Sequence, residues 1–194
     1  MEYPEFFNDV EHIVLKDELS EFLGTTKNGI IDISFLEIVK MAGHSCAVVA
    51  GTYLMAKEGL KALYGQEIPK RGEIKVELKG TTADNTGVSA LILSNITGAT
   101  DNMGFKGIMG KFNRRGLLFM GAGIQSDIRL TRLDTDKSVE LVYKPWEVVS
   151  PGDILQSAIG PDATEENKIS FPERWQNMVK TILENTDKVI EIVE

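Results

Sequence analysis

Apolar side chains recur at helical spacing in several separate segments of the chain. Before residue 100 they fall three or four positions apart in four stretches, the pattern of helices with one buried face. Ser34, with Glu37 three residues later, forms a capping box that predicts a helix start. The spacing therefore predicts helices over Tyr3–Leu23, from Ser34 to about Ala42, from about Ala47 to Gly65, over Thr86–Ile96 and over Pro172–Leu183.

A two-residue alternation marks the strands, most clearly over residues 73–79. There Ile74, Val76 and Leu78 alternate with charged residues, which predicts a strand with one buried and one solvent-facing side. Such strands are typical of antiparallel or mixed sheets. Shorter patterns predict a strand at 117–120, a hairpin of 127–133 and 138–144, and a final strand at 188–194. This order of elements predicts an α+β fold, in which helices flank a mostly antiparallel sheet.

Composition adds to this picture by excluding classes of protein. With 42% hydrophobic and 26% charged residues, the chain is an ordinary globular protein, which excludes wholesale disorder, collagen and coiled coil. Its apolar runs are too short for a membrane span, and the acidic start over residues 1–5 is unlike a signal peptide. One cysteine cannot form an internal disulfide, which favours a cytoplasmic protein. We expect a single domain over residues 1–194.

Charge adds one candidate binding surface. The net charge of -8 argues against binding to nucleic acids or anionic membranes. Residues 102–126 nevertheless contain no acid and four bases, among them Lys111, Arg114 and Arg115, in a glycine-rich stretch. Because closely spaced glycines let backbone N–H groups approach a ligand, this segment is a candidate site for a small anionic ligand. Alternatively, these bases balance nearby carboxylates, since residues 1–23 contain seven acids and one base.

His44 and Cys46 form the strongest candidate metal site. Imidazole nitrogen and thiolate sulfur are preferred ligands of zinc and similar divalent ions. The helix predicted to begin at about Ala47 presents its positive end here, which favours a thiolate. Two ligands do not complete a site, so oxygen ligands, water, a bound ligand or a second chain would supply the others. Two alternatives stay open: a buried structural cysteine beside a hydrogen-bonded histidine, and a Cys46 nucleophile activated by His44, with Asp84 or Asp101 as orienting group.

The residues around this pair resemble the formylmethanofuran dehydrogenase E-like family. Residues 43–47, Gly-His-Ser-Cys-Ala, resemble the family's Gly-His-x-Cys-Pro motif ahead of a helix. Residues 96–100, Ile-Thr-Gly-Ala-Thr, and the glycines after them resemble its Leu-Thr-Gly-Cys-Thr segment. The resemblance covers about residues 34–120, ahead of a C-terminal hairpin and helix extension. It implies an α+β core with a metal, generally zinc, on His44 and Cys46. Ala47 and Ala99 depart from the family's common proline and cysteine, so no thiolate besides Cys46 is available in this chain.

Together these observations predict a small cytoplasmic protein that binds a metal or a cofactor at its Gly-His-Ser-Cys segment. Zinc or another divalent metal is the expected occupant, and haem or another tetrapyrrole held by His44 or Cys46 is the alternative. Two other functional classes stay open. One is an enzyme that acts on a small anionic substrate through Cys46 or a metal-bound water, and the other is an accessory subunit of a larger redox enzyme. The acid-free, glycine-rich surface also favours a homodimer in which this face is covered.

Overall fold

The structure, a computed structural model, describes residues 2–193 and consists of a five-stranded sheet, a two-stranded sheet and the helices packed around them. The helices are α1 (Glu18–Phe22), α2 (Phe35–Ala42), α3 (Ala47–Tyr64), α4 (Thr86–Thr97), α5 (Pro151–Ile159), α6 (Glu165–Glu184) and α7 (Thr186–Val189). The strands are β1 (Ile13–Lys16), β2 (Ile30–Ile33), β3 (Ile74–Leu78), β4 (Leu118–Met120), β5 (Ile128–Arg132), β6 (Ser138–Tyr143) and β7 (Ile190–Val193). The predicted α+β class is confirmed.

The five-stranded sheet has the order β4-β3-β5-β6-β7 and is mostly antiparallel, as predicted. Only the pairing of β3 with β4 is parallel. The predicted alternation is confirmed on β3, because Ile74, Val76 and Leu78 are at most 1% exposed and belong to the core. The predicted hairpin is confirmed as β5 and β6. The predicted final strand is confirmed as β7, and Glu194 lies outside the described residues.

α3 is buried on almost every side and joins the sheet to the other helices. The predicted capping box is confirmed at the start of α2, and Gly43 ends that helix with a φ of 77°. The chain then enters α3, which packs across β5, β6 and β7 and against α2, α4 and α6. Gly51 allows α3 to approach β6 closely, because a Cβ there would lie 2.4 Å from the ring of Tyr143. This contact fixes the first turns of α3 beside the end of β6.

The helix predicted over residues 3–23 is wrong. That segment forms a 3-10 turn at Glu5–Asp9, then β1, then the short α1. Ile13 and Leu15 are buried through a strand geometry instead, since both point inward on β1, which pairs antiparallel with β2, whereas Phe22 and Leu23 are exposed. Asp17 ends the strand and caps α1 by accepting backbone N–H groups. A short apolar segment fits both periods, and the pairing with β2 decides between them.

The C-terminal helix is longer than predicted. α6 begins seven residues earlier than Pro172, at Glu165, because Thr164 caps it by accepting the N–H of Asn167. Pro172 lies inside the helix, where it removes one backbone donor without ending it. Among residues 2–193, no helix combines the length and the apolar character needed to cross a membrane.

Candidate functional site

His44 lies on the surface in the link between α2 and α3. Its Nδ1 donates to the backbone oxygen of Ala42 at 3.0 Å. A donor hydrogen on Nδ1 leaves a lone pair on Nε2, which is the tautomer of a histidine that binds a metal through Nε2. The imidazole borders a depression of about 310 Å³ that Tyr3 and Gln176 also line. The ring is therefore oriented and accessible.

Cys46 is the N-cap of α3. Its Sγ accepts the backbone N–H of Val49 at 3.5 Å. The side chain is half-buried and packs against the hydrophobic core. This placement confirms the predicted helix start and gives the sulfur a structural hydrogen bond.

The structure does not join His44 and Cys46 by a hydrogen bond, since one bonds a carbonyl and the other a backbone N–H. The two candidate orienting groups, Asp84 and Asp101, accept N–H groups of their own loops. Across residues 2–193, no three His, Cys, Asp or Glu side chains lie close enough together to hold a metal ion. The two predicted ligands are fewer than the three or four of protein zinc sites.

A groove of about 690 Å³ lies between α3, the loop from β3 to α4, and the end of β6. We call it the α3 groove. Its apolar lining is Val48, Met55, Leu78, Ile128, Tyr143, Pro145 and Trp146, and its polar lining is Thr52, Lys79, Gly80, Thr81, Asp84, Asn85, Thr86, Ser89 and Asp127. Small-molecule sites typically enclose roughly 300–1,000 Å³ and combine apolar walls with a few polar groups. Both properties are present here.

Two hydrogen bonds hold polar groups in the α3 groove. The hydroxyls of Thr52 and Ser89 lie 2.8 Å apart and tie α3 to α4. The carboxylate of Asp127 accepts the backbone N–H of Tyr143 through Oδ2 at 2.7 Å. No partner for Asp127 Oδ1 is present within residues 2–193, so this oxygen remains an acceptor. The groove therefore offers prearranged polar groups beside apolar walls.

The rim of the α3 groove adds an aromatic surface and a fixed carboxylate. Trp146 is 65% exposed, which is unusual for so large an apolar side chain. Hydrogen bonds from the hydroxyl and N–H of Thr86, and from the N–H of Thr81, lower the pKa of Asp84. Asp84 is consequently a carboxylate at neutral pH, and it orders the loop from β3 to α4.

Arg114 is buried and pairs with the acidic N-terminal segment. Its Nη2 donates to Asp17 Oδ1 at 2.6 Å, and Nη1 of Arg71 donates to Asp17 Oδ2 at 2.9 Å. Asp17 is 3% exposed, so one buried carboxylate holds two guanidinium groups. The predicted balance between a base and a nearby carboxylate thus applies to Nη2 of Arg114.

The three predicted anion-binding residues, Lys111, Arg114 and Arg115, do not all line one depression. Exposed Lys111 and buried Arg114 line one depression of about 320 Å³. We call it the arginine depression; its lining is Glu18, Arg71, Gly72, Glu73, Lys111, Phe112, Asn113 and Arg114. Arg115 lies outside this lining, and its Nε donates to the backbone oxygen of Gly104 at 2.8 Å. Neither Lys111 nor Arg114 lines the depression beside His44.

Sequence reasoning missed most of the α3 groove and the role of Arg71. Asp84 entered only as a partner for His44, whereas Trp146 and Asp127 had no local pattern that marks a site. These residues come from distant segments that only the packing of α3 on the sheet brings together. The sequence did offer one signal, the strand predicted over residues 73–79. The loop after this strand leads to the predicted helix start at Thr86, and ligand-binding residues often lie on loops held by such elements.

Comparisons with known proteins add no family to this geometry. No protein-family model matches the chain, and no curated protein matches it either. The function therefore rests on the site itself.

Proposed function

We propose that this is a small-ligand-binding protein whose ligand occupies the α3 groove. The single observation that carries the proposal is the groove itself, about 690 Å³ with apolar walls and convergent polar groups. The same class of function, a small binding protein, is predicted from the sequence, although that prediction centred on His44 and Cys46. Val48 and Thr52 line the groove from the first turns of α3, directly after Cys46.

The lining indicates a ligand with a flat apolar part and a hydrogen-bond-donating head. The exposed indole of Trp146 offers a face on which a ring can stack, which contributes about 0.5–1.5 kcal/mol in aromatic pairs. The unpaired Oδ1 of Asp127 and the hydroxyls of Thr52 and Ser89 offer acceptors for the head group. Phenethylamine, phenethyl alcohol and hydrocinnamate carry the same ring with a cationic, a neutral and an anionic head. We expect the amine to bind most tightly.

Replacing Trp146 with alanine is expected to weaken phenethylamine binding by about threefold to tenfold, since one aromatic contact is lost. Binding is measured by isothermal calorimetry and by the fluorescence of the Trp175→Phe variant, in which Trp146 is the only remaining tryptophan. Ile159→Ala is the matched control, because Ile159 is 70% exposed and lies outside the groove lining. Equal affinity in the Trp146→Ala and wild-type proteins would contradict the placement of the ring.

A metal ion on His44 and Cys46 is the second candidate. The hydrogen bond from Nδ1 of His44 to Ala42 favours it, because this bond leaves Nε2 free to bind a metal. Two ligands from one chain are too few, so we propose that a second copy of the chain completes the site in a homodimer. Three of the functions expected from the sequence depend on this second candidate. They are haem binding, a role as an accessory subunit of a redox enzyme, and catalysis on an anionic substrate by a metal-bound water.

If the metal proposal is right, His44→Ala and Cys46→Ser should each remove most of the bound zinc. The two losses should be far from additive, since a site that lacks one ligand is already broken. Metal analysis and an absorption spectrum of purified protein separate zinc from a coloured cofactor, and light scattering measures the dimer. His12→Ala is the matched control, because His12 pairs with Asp32 on the surface. Stoichiometric zinc in both site variants would refute this candidate.

A further inference from the structure

We propose that the arginine depression is a binding site for a small oxyanion, a phosphate or a carboxylate, held by Arg114 and Lys111, with Arg71 adding positive charge beside them. This site is separate from the α3 groove, and its proposal does not depend on the function proposed above. Donors of Arg114 without a protein acceptor, the local charge and the rigidity of its guanidinium support it.

The unpaired donors belong to Arg114. Its side chain is only 8% exposed, and only Nη2 has a protein acceptor, the carboxylate of Asp17. Within residues 2–193, neither Nε nor Nη1 of Arg114 has an acceptor. Neither nitrogen is among the buried side-chain atoms of residues 2–193 that lack a partner, so both are accessible to solvent, where an anion can take the place of water as their acceptor. Arg114 borders a space of about 320 Å³ through which an acceptor from outside the chain can reach these donors.

The charge inside the depression favours an anion. Asp17 is shared by Arg71 and Arg114, so this buried group carries one positive charge more than its carboxylate neutralises. Lys111 adds an exposed cation to the same lining. Of the two acids in the lining, Glu73 is paired with Lys70 at 3.4 Å, and Glu18 is exposed to solvent, where its charge is screened.

The guanidinium of Arg114 is held in place before any ligand arrives. It lies directly against Gly72, where the φ of +87° favours glycine and a Cβ would lie 0.9 Å from Nη1. The Arg114 backbone N–H donates to Phe105 at 2.9 Å and its backbone oxygen accepts from Thr100. A donor group fixed in this way loses little conformational freedom on binding, and paired N–H groups suit the oxygens of phosphate and carboxylate.

The test compares sodium phosphate, sodium acetate and sodium chloride at equal ionic strength, with thermal unfolding and calorimetry as readouts. Phosphate or acetate should bind saturably in the millimolar range and raise the Tm above its value in chloride. Lys111→Gln should weaken that binding about threefold, because an exposed charge contributes little. Arg114→Lys, which keeps a cation beside Asp17 but removes the planar fork, should weaken it by about tenfold or more.

Arg115→Gln is the matched control, since Arg115 is exposed and lies outside the depression. The proposal is supported when phosphate, acetate or both bind and Arg115→Gln leaves their affinity unchanged; tighter phosphate binding would identify a phosphate site and tighter acetate binding a carboxylate site. It is overturned if neither anion raises the Tm more than chloride does. It is also overturned if Arg115→Gln weakens binding as much as Lys111→Gln. Circular dichroism shows whether the Arg114→Lys variant is folded. If it is not, the anion affinity of Lys111→Gln alone tests the proposal.

Discussion

Replacing Asp17 with alanine is expected to lower the free energy of unfolding by about 3–5 kcal/mol, the usual result of removing one partner from a buried ion pair. The substitution leaves Arg71 and Arg114 without their shared carboxylate, and Arg114 is 7% exposed. It also removes the cap of α1, since Asp17 Oδ1 accepts the N–H groups of Leu19 and Ser20. The bonds of Asp17 therefore join the end of β1, the segment before β3 and the glycine-rich loop.

Urea denaturation of wild-type and variant proteins measures this loss. Asp9→Ala is the matched control, because Asp9 is exposed and lies in the 3-10 turn before β1. Asp17→Asn keeps an oxygen that can cap α1 but removes the charge. Its loss of unfolding free energy should therefore fall between those of Asp17→Ala and Asp9→Ala. A loss below about 1 kcal/mol for Asp17→Ala, the range of an exposed ion pair, would contradict the account of a buried cluster.

The same cluster should make stability depend on pH in acid. Burial raises the pKa of Asp17, but the hydrogen bond from Arg71, the charge of Arg114 and the N–H of Ser20 together lower it below its usual value. A lowered pKa means that the stabilisation is fully present above the unfolded value, near pH 4, and is lost as pH falls through the folded value. Urea unfolding at pH 5 and below should therefore show a smaller acid-induced loss in Asp17→Asn than in the wild type.

Replacing Asn85 with tryptophan is expected to abolish phenethylamine binding in the α3 groove. Asn85 lines the groove at the start of α4, so an indole at this position fills the space that the ligand needs. Asn85 is exposed and its side chain makes no capping hydrogen bond, so the fold should tolerate the change. The expected effect exceeds that of Trp146→Ala, because occlusion removes every ligand contact rather than one.

Calorimetry with phenethylamine measures the loss, and Leu91→Trp is the matched control. Leu91 is 52% exposed on the same helix and is absent from the groove lining, so the same indole there should leave affinity unchanged. If Asn85→Trp binds as the wild type does, the ligand lies elsewhere. If Leu91→Trp loses binding as well, the effect comes from the helix rather than from the groove.

The sequence predicts the fold well where one face of an element is buried and its ends carry local signals. The alternation over β3 and the capping box of Ser34 are of this kind, because both depend on neighbouring residues alone. The N-terminal prediction failed because Ile13 and Leu15 acquire their strand geometry from a partner, β2, that lies more than ten residues away. Propensity in so short a segment is weaker than such a pairing.

The candidate site is less accessible to sequence reasoning. His44 and Cys46 are conspicuous because they are neighbours in the chain, yet their hydrogen bonds lead to different backbone groups. Arg114 is recognisable as a base, but its burial against Asp17 depends on a contact across 97 residues. Trp146 and Asp127 meet α3 only through the tertiary packing of the sheet.

The most direct test of ligand binding in the α3 groove is amide proton–nitrogen correlation NMR during a titration with phenethylamine. The proposal predicts saturable shifts confined to the groove, with the largest changes in residues 79–89, at Thr52 and at the Trp146 indole. Shifts centred on the link around His44, or no saturable shift at any concentration up to the solubility limit of all three phenyl probes, would contradict it.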